Sequence, residues 1–272
     1  MEGDEIKKIV REKYGEIASG GGCGCGSSSC CDSTESLASS IGYSAQDLQA
    51  APQAANLGLG CGNPVAMLSL NEGDTVVDLG SGAGFDCFLA AQKVGLNGRV
   101  VGVDMTPQMI DRARQNAKQG NYANVEFRLG EIENLPVADK FASAVISNCV
   151  INLSPDKARV FREAFRVLRP GGRLLVSDIV LSKPLPEAIR NSQAAYAECV
   201  AGAMLQADYV SAIEQAGFVN VKVLAQTFYP AAEIVQESVA RQAGNLPVAV
   251  QQIMTELENT ISSITIQAEK PA

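Results

Sequence analysis

The chain has 272 residues, 46% of them apolar, and a net charge of −8 from 30 acids against 22 bases. That length and balance fit a globular chain of one large domain, or of one domain plus appendages, and they argue against a large nucleic-acid surface, which needs basic clusters to meet phosphates. No stretch approaches the ~20 apolar residues of a membrane span, and histidine is absent, which removes Ser-His-Asp and Cys-His nucleophile systems and mixed Cys/His zinc sites.

In chain order, Ile6, Ile9, Val10, Lys13, Tyr14 and Ile17 recur at helical spacing and predict a helix over 4–18. The segment MEGDEIKKIVREKYGE lacks the apolar core of a signal peptide, so a cytoplasmic setting is expected. Residues 19–33 (SGGGCGCGSSSCCDS) have almost nothing to bury and read as mobile, and 44–59 read as linker. The pentapeptide from Gly60 to Pro64 is a tight turn by composition. From residue 65 the pattern changes to a short helix over Val65–Leu70, a buried strand at Thr75–Leu79 and a helix over Phe85–Val94. Next come strands at Arg99–Val103 and Val125–Arg128 flanking a helix from Thr106 to about Gln119, and a strand at Phe141–Ser147. A helix over Ser154–Leu168, with Pro155 in its first turn, precedes a strand at Arg173–Asp178. Strands alternating with helices imply right-handed βαβ units and a parallel sheet. Beyond them, helices are expected over Glu187–Gln206, Asp208–Gln215, 231–243 and 247–260, with strands at Val219–Leu224 and 263–268.

The run Asp78-Leu79-Gly80-Ser81-Gly82-Ala83-Gly84 sits between the first strand and the first sheet helix, where glycines let a backbone approach a ligand. Three glycines at this spacing are only moderately specific. Asp104 ends the second strand, where an acid accepts hydrogen bonds from ribose hydroxyls. Gly130–Pro136 follows the third strand with acids and backbone N–H groups suited to an adenine edge, and Leu168–Leu174 carries the turn before the fifth strand. Over about residues 65–225 these motifs together resemble the class I S-adenosylmethionine-dependent methyltransferases. The resemblance implies an α/β, Rossmann-like, seven-stranded and mostly parallel sheet with helices on both faces. The last strand would run antiparallel between the fifth and sixth, a place the run at 263–268 would fill. The expected organisation is a Cys-rich N-terminal extension over 1–64, a methyltransferase core over 65–225, and a helical insertion plus final strand over 226–272. It also implies S-adenosylmethionine as methyl donor, with Gly80, Ser81 and Gly82 along its methionine and ribose, Asp104 on the ribose hydroxyls and Met105 on adenine. Ile132 would meet the adenine edge with help from Glu131 or Glu133, and Asn148 would sit near the methionine portion. Asp78 is expected to cap the strand end. The fourth strand lacks the acid this superfamily usually places early in it.

Eight cysteines, at 23, 25, 30, 31, 61, 87, 149 and 199, are expected as reduced thiols. Cys149 follows Asn148 at the carboxyl end of the fourth strand, the edge where open parallel sheets bind ligands. Cys199 lies on a segment expected to cover the pocket, Cys61 in the glycine turn, and Cys87 in the core. Soft thiolates converging on one site suit a soft centre. Trivalent arsenic fits, since it takes two or three thiolates and keeps a nucleophilic lone pair that needs no general base.

Ser147–Lys157, Leu59–Pro64, Asp104–Pro107 and Glu198–Ala203 narrow the likeness: over about residues 56–224 the chain resembles the arsenite methyltransferases. The resemblance implies that Cys149 and Cys199 hold arsenic(III), that Cys61 joins them, and that an upstream redox cysteine corresponds to Cys30 or Cys31. Arsenite or a thiol conjugate would be the substrate, with thioredoxin or glutathione as reductant and no metal cofactor, nucleic acid or membrane involved. Two other readings remain open on the residues alone. One is a methyltransferase acting on a quinone- or sterol-type carbon; the other is a non-catalytic thiol-rich metal-binding protein, for which the lack of paired C-x₂-C knuckles is unfavourable.

Overall fold

In a computed structural model, residues 3–20, 30–229 and 257–272 are described. The first five strands form one side of a single sheet, with buried β1 (Thr75–Leu79), β2 (Arg99–Asp104), β4 (Ala142–Asn148) and β5 (Leu168–Leu181) inside it and the partly buried β3 (Val125–Leu129) at its edge. These five pair in parallel. With β6 (Met204–Leu205), β7 (Val219–Phe228) and β8 (Ile261–Glu269) the order is β3-β2-β1-β4-β5-β8-β7, and the two-residue β6 sits beside β5 off this path. β8 runs antiparallel to both its neighbours. The expected seven-stranded class I arrangement is therefore present, final strand inserted as anticipated, with the short β6 in addition.

The period-two alternation of strands splits the core between two faces. Val77 and Leu79 of β1 join one apolar cluster with Phe161 and Tyr209, while Val76 joins the other with Phe88 and Phe127. The rings meet edge-on, Phe161 against Tyr209 at 5.3 Å and Phe88 against Phe127 at 5.8 Å. The first face carries α7 (Lys157–Val167) and α10 (Gln206–Gln215), and the second carries α5 (Phe85–Val94) and α6 (Pro107–Gln119). Because each fully buried large apolar side chain is worth about 1.5–3 kcal/mol, this double core gives the strand ends a rigid frame. Register then aligns the carboxyl edge: Leu79 sits beside Val103 and Ser147, and Asn148 beside Ser177. Gly80, Asp104, Cys149 and Asp178 consequently emerge along one rim.

Around the sheet, α1 (Gly3–Ala18) buries Ile6 and Val10. The stretches read as mobile or linker hold more structure than expected. α2 (Cys30–Ser40) begins inside the Gly/Ser/Cys segment, and α3 (Ala45–Ala50) is closed by a reciprocal Ser44–Asp47 capping box; α4 (Pro64–Met67) follows. α7 starts later than expected because Asp156, not Ser154, caps it by accepting from the Arg159 N–H; the Ser154 hydroxyl is spent on Glu133. The helix expected over Glu187–Gln206 is broken into α8 (Glu187–Arg190) and α9 (Gln193–Ala197), followed by a turn. Two causes are visible: the Ser192 hydroxyl accepts from Ala195 N–H at 3.2 Å, and a Cβ on Gly202 would lie 2.2 Å from the Asn152 carbonyl. The helix expected at 231–243 and most of that at 247–260 lie outside the described residues, as do Cys23 and Cys25.

Candidate active site

The glycine turn leaves β1 with Gly80 at φ +67, a left-handed conformation that costs a residue with a Cβ about 1–2 kcal/mol. A Cβ on Gly80 would also stand 2.3 Å from Val150 Cγ2, so glycine is required twice over. The N–H groups of Gly80 and Ser81 both donate to the Val103 carbonyl. Asp104 accepts from Gly82 N–H at 3.0 Å and Thr106 N–H at 2.8 Å. Burial pushes its carboxyl upward, opposed by those bonds. One backbone donor on each oxygen leaves lone pairs for hydroxyls. Ser81 Oγ is buried without a hydrogen-bond partner among the described residues, an unspent polar atom in the turn expected to cradle a cofactor. Met105 packs against the apolar cluster that holds Cys61 and Cys199.

After β3, Ile132 is buried and its acidic neighbours are gripped by α1. Lys7 lies 2.6 Å from Glu131 and 3.6 Å from Glu133, and Arg11 lies 3.6 Å from Glu131. Burial works against the Lys7 ammonium, yet the two carboxylates hold its pKa above the ordinary value. The first helix therefore lies across the loop expected to read adenine, which the sequence did not reveal.

Cys61, Cys149 and Cys199 converge. Cys149 and Cys199 adopt φ +57 and φ +64, uncommon for side chains other than Asn, Asp or Gly. Such outliers cluster at functional sites when the surroundings over-determine them. Here Cys149 N–H donates to the Ser177 carbonyl, and Cys199 N–H to that of Tyr196. The Cys199 thiol reaches the Cys149 carbonyl at 2.9 Å. Cys149 lies beside both other cysteines, its sulfur within 4.8 Å of that of Cys61 and its carbonyl accepting from the Cys199 thiol. All three are disfavoured as thiolates. Burial raises Cys61. The bond from Cys199 pulls Cys149 down, but Cys61 and burial outweigh it. Cys199 is raised by its bond to Cys149 and by burial. Cys87 is wholly buried in the second core cluster, its thiol 3.2 Å from Asp78 Oδ2, as a core cysteine should be; Asp78 thus meets this thiol within the core. Cys30 and Cys31 open α2.

Several contributors escaped the sequence reading. Asp178 is 1% exposed, and one of its oxygens lies within 4.8 Å of the Cys61 and Cys149 sulfurs, which are equally close to one another. Burial pushes its carboxyl up to about 7. Its placement one residue past Ser177, at the same rim as Cys149, was the available signal. Tyr14 of α1 packs against the cluster that holds Cys199, and its hydroxyl favours the Cys199 thiolate. Asn148, expected near the methionine portion, uses its side chain on the Cys61 turn: Oδ1 accepts from Cys61 N–H at 3.0 Å, and Nδ2 approaches the Gly62 carbonyl, Tyr43 hydroxyl and Asp86 carboxylate at 2.8, 2.9 and 3.1 Å.

With this geometry in view, comparison with known proteins is informative. Residues 70–217 match the family model described as a methyltransferase domain. An arsenite methyltransferase of Halobacterium salinarum is 49% identical over 230 residues, 81% of this chain and 59% of that protein. One from Mus musculus is 35% identical over 79% of this chain and 58% of its own length. The chain thus spans under three fifths of the length of these curated relatives. Among solved structures, an arsenic(III) S-adenosylmethionine methyltransferase from Chlamydomonas reinhardtii superposes with a TM-score of 0.64 at 32% identity, covering 86% of this chain and 73% of that one.

Proposed function

Since the chain belongs to the arsenic(III) S-adenosylmethionine methyltransferase family, we propose that it transfers a methyl group from S-adenosylmethionine to thiolate-bound trivalent arsenic. The observation that carries this reading is the convergence of Cys61, Cys149 and Cys199 at the rim that also bears the glycine turn and Asp104. Arsenite is neutral as As(OH)₃, and each arsenic–sulfur bond forms as a thiol proton leaves with an arsenic hydroxyl as water. Buried, protonated thiols are therefore the appropriate reactants. Arsenic bound to thiolates keeps its lone pair, so the chemistry proceeds without histidine. Cys199 is steered by Tyr14, and Cys61 by Asn148.

Gly80, Ser81 and Gly82 would hold the methionine and ribose of the donor, Asp104 its hydroxyls, and Met105, Ile132 and Glu131 its adenine. When bound, S-adenosylmethionine supplies an electrophilic methyl group on a sulfonium. Methylation leaves arsenic formally pentavalent. Two thiolates, Cys61 and one of Cys30 or Cys31, return two electrons to arsenic as they join in a disulfide. Thioredoxin or glutathione then reduces the disulfide by thiol exchange. Free thiols in this role suit a reducing compartment such as the cytoplasm.

The test replaces Cys149 and Cys199 singly with serine and measures arsenite-dependent methyl transfer from labelled donor. Loss of a direct ligand should exceed the roughly 10–100-fold effect of removing an outer-shell partner. Unchanged rates in both variants would overturn the reading.

A further inference from the structure

We propose that Cys61, Cys149 and Asp178 form a site for a borderline-soft divalent cation of the zinc type, an S₂O donor set that overlaps the arsenic site but does not use Cys199. The three donor atoms lie within 4.8 Å of one another. Zinc–sulfur and zinc–oxygen bonds of about 2.3 and 2.0–2.2 Å place tetrahedral donors roughly 3.5–3.8 Å apart, so a small contraction suffices. The donors come from three separately anchored segments. The Cys61 turn is fastened by Asn148 at its N–H and by the Ser263 hydroxyl at its carbonyl. Cys149 follows β4 with its N–H on Ser177. Asp178 lies in the adjacent strand.

Asp178 is the residue that gives this site its character. Asn152 Nδ2 and Ile179 N–H donate to its Oδ1 at 2.8 and 3.0 Å, and the Tyr209 hydroxyl donates to Oδ2 at 3.2 Å. Orienting bonds of this kind are what the outer shell of a metal site provides, and Oδ2 keeps a further lone pair. Among the described residues no cationic group lies within 4.0 Å of this carboxylate; Lys157 acts on it only from longer range. A buried carboxylate without a close counter-charge is costly, and a cation at this point relieves it. Arsenic(III) has no need of the carboxylate because it is satisfied by sulfur, whereas zinc-type cations accept both sulfur and carboxylate oxygen. On binding, two S–H bonds break, two metal–sulfur bonds form, and both protons go to the buffer. Three protein donors leave a fourth position for water. Occupancy takes two of the arsenic thiols, so the cation acts as a competitor of arsenite.

Cobalt(II) is the probe, added to the full chain with Cys23, Cys25, Cys30 and Cys31 replaced by serine to silence the N-terminal thiols. No arsenic is present, so the outcome is separate from the arsenic reading. One equivalent should bind and develop sulfur-to-cobalt charge-transfer absorption with the strong visible bands of a tetrahedral site. Cys199→Ser should still bind one equivalent with the sulfur-to-cobalt band retained. Cys61→Ser, Cys149→Ser and Asp178→Asn should each weaken binding by about ten-fold or more. Retained thermal melting and S-adenosylmethionine binding identify folded variants, and Cys61→Ser serves where Asp178→Asn does not fold. The proposal is overturned if no stoichiometric band develops, if Asp178→Asn titrates like the parent, or if Cys199→Ser abolishes binding.

Discussion

Asn148→Ala is the substitution that best separates two roles for the residue before Cys149. If Asn148 serves the cofactor alone, alanine should weaken S-adenosylmethionine binding and leave the protein otherwise intact. The structure instead commits its side chain to the Cys61 turn. Alanine strands the Cys61 N–H, which loses an acceptor at 3.0 Å, and the Gly62 carbonyl, which loses a donor at 2.8 Å. It also takes one partner each from Tyr43 and Asp86. The amide NH₂ has two protons to share among its three acceptors, so at about 1 kcal/mol for each neutral bond and about 2 for a charged one the loss sums to roughly 3–4 kcal/mol. Partial exposure lets water replace some of these bonds, which leaves about 2–3 kcal/mol. Urea unfolding should show this as a lower midpoint at unchanged slope, and Cys61 should be alkylated faster because its turn is no longer fastened. A variant within about 0.5 kcal/mol of the parent, with Cys61 reactivity unaltered, would refute the anchoring argument.

Gly80→Ala forces a Cβ to 2.3 Å from Val150 Cγ2 at φ +67. Left-handed strain plus overpacking should cost about 2–5 kcal/mol, and equilibrium dialysis should show S-adenosylmethionine binding lost; a melting temperature and affinity equal to the parent's would refute this. Asp86 is pushed by burial up to about 6 from 3.8, against the opposing bonds from Tyr43 and Asn148. The native state thus holds this proton more tightly than the unfolded chain does. Its stabilising contribution is complete below about pH 4 and is lost as pH rises through about 6. Asp86→Asn should flatten that segment of the stability–pH curve in denaturant unfolding, and an unchanged slope would count against it. Tyr14→Phe removes a hydroxyl that favours the Cys199 thiolate. At about 1 kcal/mol it should slow Cys199 alkylation roughly five-fold near pH 8, and no change would show that the hydroxyl does not serve the thiol.

How far the sequence reaches depends on the kind of physical signal involved. β1, β2 and β4 were legible to within a residue or so because strands buried on both faces read as near-continuous runs of small and apolar residues, here bounded by Gly73 and Gly98, whereas the edge strand β3 was legible from the alternation of Val125, Phe127 and Leu129 with Glu126 and Arg128. β8 was legible from alternation, and its insertion beside β5 from the family resemblance. The break between α8 and α9 was not legible, because its cause is a local Ser192 cap, and neither was the turn after α9, where Gly202 passes beside the Asn152 carbonyl fifty residues away in the chain. Nor was the docking of α1: its amphipathic face announced a helix, but only the fold brings Lys7 to Glu131. Among the site residues, Cys149 and Asp104 were readable because each ends a recognisable strand. Asp178 lies within β5, which runs on to Leu181, and its meaning depends on Cys61, which reaches it only once the turn is fastened by Asn148 and Ser263.

The same pocket can discriminate between two kinds of thiophile by what becomes of the protons. Burial holds Cys61 protonated, and burial with the mutual thiol bonds does the same for Cys149 and Cys199. A divalent cation must expel those protons against that preference, and it recovers the cost only through its charge and through Asp178. Arsenite meets no such demand, since each proton departs in a water molecule built from arsenic's own hydroxyl. The shielding that makes these thiols poor ligands for a free cation therefore makes them well suited to a neutral hydroxide. Replacing Asp178 by asparagine removes the cation's compensation without touching a sulfur. The variant should lose cobalt affinity about ten-fold or more while keeping arsenite binding, read as quenching of tyrosine emission or as protection of Cys149 and Cys199 from alkylation. A parallel loss of both ligands would show that the carboxylate serves the thiols as a group and not the cation.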